Sequence, residues 1–399
     1  MPVTNTHFLN YKRTMLQTPA HQTRHQATNV VLWIIRIIVG VLFIFSGLIK
    51  ANDPLGLSYK MQEFFGVWGM QSLNDYTLFM SLAMNTFEIV AGVAVLLGWH
   101  MKMFSWLLLL LIIFFTFLTG YALFSGKIKT CGCFGDCIPL TAQQSFIKDL
   151  VLLVLIIVIF IKKDVIYPIF SSAINGLAVL ITVLFCIVLQ WYVLKHLPIV
   201  DCLPYKKGNN IVEQMQIPAG AVADSFAINF RYKKDGKVVE FDMDHFPDDF
   251  NDSTYEFVER VQKLIRPGNA TPKINDFSLR SMSGNDTTLA ILNHEGPYVM
   301  MFLKGLTDTH KGWEANAAAV AKACAEKNIS FFVVSAVAER ASENLRHIPN
   351  AQYLKCDATV IKTAGRENPT YLIMNQATIT GKYADVDYEK AVRQIQALK

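Results

Sequence analysis

Long runs of apolar residues fill the first half of the chain. Five runs hold almost no charge, at approximately residues 30–50, 77–98, 104–125, 146–162 and 169–194. A helix needs about 20 residues to cross a hydrocarbon core of roughly 30 Å, so each run is about the length that a membrane span needs. The third run, "WLLLLLIIFFTFLTGYALF", is apolar on every helical face, which is typical of a membrane span. The pattern predicts five membrane-spanning helices.

The pattern changes after about residue 195. The segment "FAINFRYKKDGKVVEFDMDHF" alternates apolar and polar residues on both sides of Lys234, Asp235 and Gly236, which predicts a β-hairpin. The following "DSTYEFVERVQKLI" is interpreted as an amphipathic helix with Asp252 or Ser253 as its N-cap. We expect this helix to pack on the hairpin.

The last 130 or so residues alternate strand-like and helix-like segments. Strands are predicted in "DFSLRSM", "YVMMFLK", "SFFVVSA", "TYLIMN" and "TITGKYA". Helices are predicted through "WEANAAAVAKACAEKN", near "ASENLRHI" and from "DYEKAVRQIQALK". Such alternation predicts a layered α/β domain with a partly parallel sheet.

Basic residues set the expected orientation. They cluster before the first run and in the second and fourth connections, at Lys12, Arg13, Arg24, His100, Lys102, Lys162 and Lys163. Basic connections stay on the cytoplasmic side, so the amino terminus is predicted inside and the domain after the fifth run outside. The first run lacks a small-x-small cleavage pattern and is expected to remain as an anchor. The expected location is a bacterial-type cytoplasmic (inner) membrane, with a multi-pass chain and an extracytoplasmic carboxyl-terminal domain.

Composition agrees with this picture. Apolar residues make up 52% of the chain and charged residues 17%, as expected for a membrane protein with a soluble part. The net charge of +5 is modest and partly reflects the cytoplasmic connections, so no nucleic-acid partner is predicted.

Cysteines cluster at one predicted surface. The stretch "KTCGCFGDC" holds Cys131, Cys133 and Cys137, and Cys202 follows the fifth run on the same side. On an oxidising face these four thiols form two disulfides, or one disulfide and a reducible pair, with three pairings open. A redox centre and a structural staple both remain open, whereas a metal clip is disfavoured and no metal is predicted. "TAQQ" at Thr141 predicts a capping box at the start of the fourth helix.

Two charged residues lie inside the first two spans. Glu88 is in the middle of the second span, where an ionised side chain costs about 3 kcal/mol. Arg36 lies roughly 9 Å and Glu88 roughly 15 Å from the cytoplasmic surface, so we predict that the two pair inside the bundle. In the alternative, Arg36 extends to that surface.

The membrane half resembles a known family. The segments "RIIVGVLFIFSGLIKANDPLG", "NTFEIVAGVAVLLG" and "CGCFGDC" resemble the DoxX-like and MauE-like (methylamine utilisation MauE-type) membrane proteins over about residues 30–165. The resemblance implies a four-helix bundle, to which the fifth run is an addition. It also implies quinone-linked electron transfer, as in some members, or cysteine redox and maturation of periplasmic enzymes, as in others.

The last part of the chain resembles thioredoxin-like domains of the TlpA type over about residues 270–399. The similar segments are "INDFSLRSMSGNDTTLAIL", "GPYVMMFLKG" and "ENPTYLIMNQATITGKY", the last with the family's cis-proline at Pro369. No Cys-x-x-Cys follows "MMFLKGLTDTHKGWEAN", and the next cysteine is Cys324. Dithiol chemistry needs two adjacent thiols, so the domain is interpreted as a binding or docking module.

These observations predict an α-helical membrane bundle, with a four-helix DoxX/MauE-like core and a fifth transmembrane helix, followed by a soluble α/β thioredoxin-like domain. The expected parts are a cytoplasmic tail, the bundle, the fifth helix with a linker, a hairpin-plus-helix segment and a thioredoxin-like domain lacking Cys-x-x-Cys, at residues 1–29, 30–165, 166–204, 205–268 and 269–399.

Two functions are carried forward. The first is a thiol-based or quinone-linked redox relay or maturation factor for extracytoplasmic proteins, hence a membrane oxidoreductase. Its partners would be the lipid bilayer, a membrane quinone, and a client protein or partner thiol. The second is a non-catalytic membrane scaffold or chaperone with structural disulfides.

Overall fold

The structure is a computed structural model. It describes Pro247, Phe250, Gly268 and the ranges 19–128, 132–222, 225–234, 236–242, 254–266, 272–307 and 309–398. The chain forms two compact units, one ending at Leu203 and the other beginning at Pro204. We call them the membrane unit and the soluble unit.

Six α-helices build the described part of the membrane unit. They are α1 (Pro19–Asn52), α2 (Pro54–Trp68), α3 (Thr77–Leu97), α4 (Met101–Ser125), α5 (Ala142–Ile161) and α6 (Ser172–His196). All except α2 are long and apolar enough to cross a membrane. The prediction of five membrane-capable helices is confirmed, with most boundaries within a few residues of those expected.

Helix α2 was not predicted, although its start is marked in the sequence. Asp53 caps it by accepting a hydrogen bond from the Gly56 amide, and Pro54 occupies its first turn. Gly69 ends it with a φ of 72°, a left-handed conformation that suits glycine.

Helices α1 and α3 pack closely along each other because small residues meet between them. A Cβ atom on Gly92 would lie 2.7 Å from the Gly40 carbonyl oxygen, and one on Gly47 would lie 2.5 Å from Ile89 Cγ1. Such small positions let membrane helices approach each other without side-chain clashes. Around this contact, the core of the unit is filled by buried aliphatic residues such as Leu108 and Ile156.

The described residues between α4 and α5, 126–128 and 132–141, lie beside the carboxyl end of α1, and we call this side of the bundle the loop end. The predicted capping box is confirmed: the Thr141 hydroxyl accepts from the Gln144 amide at 3.2 Å, and the Gln144 side chain accepts from the Thr141 amide at 3.1 Å. The cap therefore fixes where α5 begins.

The soluble unit starts with a short helix, α7 (Ile211–Gln214), followed by a three-stranded antiparallel sheet of order β2-β1-β3. Its strands are β1 (Ser225–Lys234), β2 (Lys237–Asp242) and β3 (Glu256–Arg266). The predicted hairpin is confirmed, since Lys234 pairs with Lys237 on either side of the turn.

The predicted amphipathic helix is wrong, because its residues form β3. A hairpin alone is only marginally stable, and β3 pairs with the second edge of β1. Phe257 then meets Tyr232 at 5.5 Å between ring centroids, and Arg231 binds Glu240 and Glu259 on the two flanking strands. The proposed caps, Asp252 and Ser253, lie outside the described residues.

A five-stranded sheet forms the rest of the soluble unit. Its strands are β4 (Pro297–Leu303), β5 (Ser330–Ser335), β6 (Ala351–Lys355), β7 (Thr370–Asn375) and β8 (Thr378–Ala384), in the order β6-β5-β4-β7-β8. Strands β4, β5 and β6 are parallel, and β7 and β8 are antiparallel to their neighbours. The partly parallel sheet is confirmed.

Five helices accompany this sheet: α8 (Thr288–Leu292), α9 (Trp313–Glu326), α10 (Ala338–Asn344), α11 (Ala358–Ala364) and α12 (Tyr388–Ala397). Strand β4 is buried on both faces, with Met300 in one core and Met301 in the other. The predicted strand in "DFSLRSM" is wrong: Arg280 makes only isolated bridges, to Asp286 and Lys355. The Asn368–Pro369 peptide bond is cis, where the thioredoxin-like resemblance expects it.

Candidate functional site

A disulfide joins two of the predicted cysteines at the loop end. Cys137 and Cys202 are bonded, with 4.8 Å between their Cα atoms and 65 residues between them in sequence. Cys133 is a free, partly buried thiol. Cys131 lies outside the described residues. The structure therefore places a free thiol four residues from a disulfide.

Asn52, the last residue of α1, positions the segment that carries Cys202. Its amide nitrogen donates to the Val200 carbonyl oxygen at 2.8 Å, and its amide oxygen accepts from the Val200 backbone nitrogen at 3.0 Å. The Leu203 amide donates to Asp201 Oδ1 at 3.0 Å. These bonds hold the chain after α6 against the end of α1.

Ser46 connects the loop to the interior of the bundle. Its hydroxyl lies 3.0 Å from the Cys133 carbonyl oxygen and 3.1 Å from Glu88 Oε2. The Phe134 ring packs on Phe45, with 5.8 Å between centroids. Gly135, with a φ of 54°, lies so close to Ile49 that a Cβ atom would be 3.3 Å from its side chain. The loop therefore rests directly on α1.

Two ion pairs lie beneath the loop, one buried and one partly buried. Lys50 and Glu88 form one pair, and their side chains are 4% and 1% exposed. Lys148 and Asp149 form the other at 2.5 Å, and Thr119 donates to Asp149 Oδ2 at 3.0 Å. Unpaired charges are costly at membrane depth, so each pair compensates a desolvation penalty.

The predicted pair between Arg36 and Glu88 is wrong. Arg36 donates to the carbonyl oxygens of Val95 and Leu96 at 3.1 and 2.9 Å. These residues belong to the last turn of α3, whose carbonyl oxygens have no partner inside the helix. Glu88 lies about two helical turns away, roughly 11 Å along the axis, where Lys50 meets it instead. Arg36 is also buried, 3% exposed, rather than extended into solvent.

A mainly apolar cavity of about 110 Å³ adjoins the free thiol. Eight aromatic and methionine side chains of α2, α3 and α4 form the largest group in its wall: Met61, Phe64, Phe65, Trp68, Met80, Met84, Phe114 and Phe115. Its polar part is formed by Ser46, Lys50, Lys60, Thr119, Cys133 and Lys148. The cavity thus brings an apolar compartment, a thiol and ammonium groups together.

The disulfide lies on a neighbouring, much smaller cavity of about 20 Å³. The two cavities share four lining residues: Lys50, Leu57, Lys60 and Gly132. Cys137 and Cys202 therefore lie across a shared wall from Cys133.

Burial raises the pKa of the Cys133 thiol above its ordinary value. The ammonium groups of Lys148 and Lys50 oppose this shift, while Asp149 adds to it. The Ser145 hydroxyl also lowers the pKa. Cys133 is thus a protonated thiol at neutral pH in a site whose cations favour the thiolate.

The remaining cysteines are inert by comparison. Cys186 is fully buried in α6. In the soluble unit, burial raises the pKa of both Cys324 and Cys356 to about 12. No group of three or more His, Cys, Asp or Glu side chains suited to a metal ion occurs among the described residues.

Sequence reasoning missed the roles of Lys50, Lys148, Asp149 and Asn52. A signal exists for the first three, since ionisable residues within or at the end of an apolar run call for a partner. The role of Asn52 depends on a tertiary contact with residues almost 150 positions away, for which the sequence carries no local pattern.

Comparison with known families supports the membrane part of this description. Residues 28–162 match the family model described as methylamine utilisation protein MauE, which covers the first four long helices and the loop with Cys133 and Cys137. Residues 226–267 match a domain of unknown function, DUF8463, which coincides with the three-stranded sheet. The chain matches no curated protein and no solved structure. The MauE resemblance is confirmed over these residues, while the DoxX and thioredoxin-like resemblances remain predictions.

Proposed function

We propose, starting from the MauE-family domain at residues 28–162, that the membrane unit is a thiol–disulfide redox relay serving the maturation of extracytoplasmic proteins. The observation that carries the proposal is the adjacency of a free thiol, Cys133, to the Cys137–Cys202 disulfide across a shared wall. A bundle that only needed a staple would not require a third sulfur there.

The exchange step follows ordinary thiol chemistry. Deprotonated Cys133 attacks the sulfur of Cys137, so that a Cys133–Cys137 bond forms while the Cys137–Cys202 bond breaks. Cys202 leaves as a thiolate and takes up a proton, so the number of disulfides is unchanged. Lys50 and Lys148 stabilise the negative charge on sulfur during this step. Cys131 is included as a further candidate thiol.

The mainly apolar lining of the cavity beside Cys133, with its polar groups near the thiol, supports a membrane quinone as the electron acceptor. Its aromatic and methionine wall would hold the apolar ring, and Lys50 and Lys148 would face the ring oxygens. A quinone supplies two-electron oxidation, by which two thiols become a disulfide as quinone becomes quinol. This chain's residues contribute the thiols, exclude water with the apolar wall and hold protons at the ammonium groups.

Orientation and the soluble unit complete the proposal. The basic residues near the chain's start and in two connections support an extracytoplasmic loop end. The strand order β5-β4-β7-β8, with α9 after β4 and α12 after β8, supports a thioredoxin-like arrangement. Without a Cys-x-x-Cys, that domain would present a client rather than exchange electrons itself.

A second function is favoured by one observation. The raised pKa of Cys133 means little thiolate at neutral pH, which suits a non-catalytic scaffold or chaperone whose disulfide is structural.

Thiol trapping in cells separates the two. Free thiols are alkylated in membranes from cells with normal or depleted quinone, and the state of each cysteine is read by mass spectrometry. The relay predicts that the Cys137–Cys202 bond is no longer regenerated when quinone is depleted, so Cys137 and Cys202 accumulate in reduced form. The scaffold predicts an oxidised Cys137–Cys202 bond in both, with Cys133→Ser changing neither growth nor client oxidation.

A further inference from the structure

A histidine and two carboxylates meet in the soluble unit, away from the thiol site. His310 lies in the connection between β4 and α9, Glu367 precedes β7, and Asp385 follows β8. His310 Nε2 is 2.8 Å from Asp385 Oδ2, and His310 Nδ1 is 3.9 Å from Glu367 Oε1. The imidazole is therefore placed between the two carboxylates.

Asp385 fixes the orientation of the ring. Its side chain is fully buried, Oδ1 accepts a hydrogen bond from the Tyr371 hydroxyl, and Oδ2 accepts from Asn316 Nδ2 at 2.7 Å. A carboxylate held this way accepts a hydrogen bond from the N–H at His310 Nε2. In the neutral imidazole, Nδ1 then carries the lone pair.

That lone pair has an unusual environment. Nδ1 is buried and has no hydrogen-bond partner within the part of the chain that the structure describes. Glu367 Oε1, which it faces, is too far for a hydrogen bond. Two ligands on one tetrahedral metal ion are separated by about 3.4 Å, given metal–ligand distances of about 2.0–2.2 Å. The observed gap is close to that separation and needs a closure of only about 0.5 Å.

Glu367 is oriented too. Its second oxygen, Oε2, accepts from the Asp385 backbone nitrogen at 3.1 Å, which leaves Oε1 toward His310. Lys304, whose charge acts on Glu367, donates from Nζ to the Arg366 carbonyl oxygen at 2.6 Å. Lys304 is thus already engaged with the backbone beside the carboxylate.

We infer that His310 Nδ1 and Glu367 Oε1 bind a divalent transition-metal ion such as Zn²⁺, with water completing its coordination. Imidazole and carboxylate are donors that suit zinc and cobalt. Metal-binding histidines usually donate their other ring N–H to a carboxylate, the role that Asp385 has here. The His310 side chain is 34% exposed although its Nδ1 atom is buried, so the ion reaches Nδ1 after a small movement of the ring. With two protein ligands, the site is open and exchangeable.

The inference is independent of the thiol relay, and its test uses the full chain in detergent. Co²⁺ is titrated and its visible absorption recorded, with Zn²⁺ as competitor. The histidines near the chain's start are replaced by Ala in every variant to remove their own metal binding: His7, His21 and His25. We expect one Co²⁺ site that His310→Ala abolishes and Glu367→Gln weakens at least tenfold.

Asp385→Asn should weaken binding about 10- to 100-fold, as expected for a residue that orients a metal ligand. His294→Ala is the matched control, because His294 Nδ1 is also buried without a partner among the described residues while its Nε2 meets the Ser330 hydroxyl. It should bind Co²⁺ like the parent. Circular dichroism confirms that each variant is folded. The inference is overturned if the parent does not bind Co²⁺, or if the folded His310→Ala variant binds it as tightly as the parent.

Discussion

The two units bury their free cysteines in very different surroundings. In the soluble unit, Cys324 and Cys356 lie in apolar cores, and burial raises the pKa of each to about 12. In the membrane unit, burial also raises the pKa of Cys133, but Lys148 and Lys50 oppose it. The difference teaches that cations placed beside a buried thiol oppose the effect of burial on its pKa, although burial remains the larger effect at Cys133.

The same contrast applies to the two ends of the membrane bundle. At the loop end, a thiol and the lysines of two ion pairs line one apolar cavity, and the disulfide lines the smaller cavity beside it. At the opposite end, Arg36 is occupied by the carbonyl oxygens of α3. The Arg36 guanidinium therefore caps the carboxyl end of α3 at one end of the bundle. At the other end, the ammonium groups of Lys50 and Lys148 act on the Cys133 thiol.

The largest expected effect comes from removing one partner of the Lys50–Glu88 pair. Glu88→Ala leaves Lys50 buried and unpaired, which should lower the free energy of unfolding by about 3–5 kcal/mol. Thermal unfolding in detergent measures this. Glu63→Ala is the control, because the Lys60–Glu63 pair is more exposed and should cost less than about 1 kcal/mol.

A double variant distinguishes the pair's structural and chemical roles. Lys50→Met with Glu88→Leu replaces both charges and should recover most of the lost stability. Exchange between Cys133 and the disulfide should nevertheless be slower in this double variant than in the parent, because Lys50 also lines the cavity beside the thiol. Full recovery of exchange would show that the pair serves stability only.

Next in size is the loss of the disulfide. Cys202→Ser opens a link across 65 residues and should lower the free energy of unfolding by about 2–5 kcal/mol. Cys324→Ala in the soluble unit deletes one buried sulfur and should cost less. Equal stability of Cys202→Ser and the parent in denaturant unfolding would mean that the link does not constrain the fold.

Asn52→Ala should have a smaller effect, about 1–2 kcal/mol, because it removes two hydrogen bonds to Val200. The more specific result is faster reduction of Cys137–Cys202 by dithiothreitol, as the Cys202 segment loosens. Asn293→Ala, in a surface turn of the soluble unit, should leave the reduction rate unchanged.

The smallest effect concerns the pH dependence of Cys133 alkylation. The raised pKa leaves less thiolate at pH 8 than an ordinary cysteine has, so labelling should be slow there and accelerate only at higher pH. Lys148→Met removes a cation that lowers this pKa and should slow labelling severalfold further. Mass spectrometry of the loop peptide reads both rates. Faster labelling in Lys148→Met would contradict the assigned electrostatics.

Much of the fold could be predicted because hydrophobic period and length are local signals. The five long helices and the Lys234–Lys237 hairpin follow from them directly. The segment that forms β3 was predicted as a helix because its apolar spacing also suits a helix. It becomes a strand because it pairs with the second edge of β1, a tertiary contact that the local pattern does not show. Strand β6, "AQYLK", is too short and polar to stand out.

The candidate site was predictable only as a set of residue types. Cysteine spacing marked the loop, but any of three pairings was open until the contact of Asn52 with Val200 placed Cys202. The partner of Glu88 depended on the relative height of α1 and α3. Counting residues from the membrane surface favoured Arg36, whereas the register of the packed helices favours Lys50.

The central claim is that Cys133 exchanges with the Cys137–Cys202 disulfide, and trapping the exchange tests it most directly. Cys131→Ser is combined with Cys202→Ser in one variant and with Cys137→Ser in another, and each is treated in lipid nanodiscs with a water-soluble quinone. The account predicts a Cys133–Cys137 disulfide in the first and a Cys133–Cys202 disulfide in the second, with the quinone reduced in equal amount. A Cys133 thiol that stays fully alkylatable in both folded variants would contradict it.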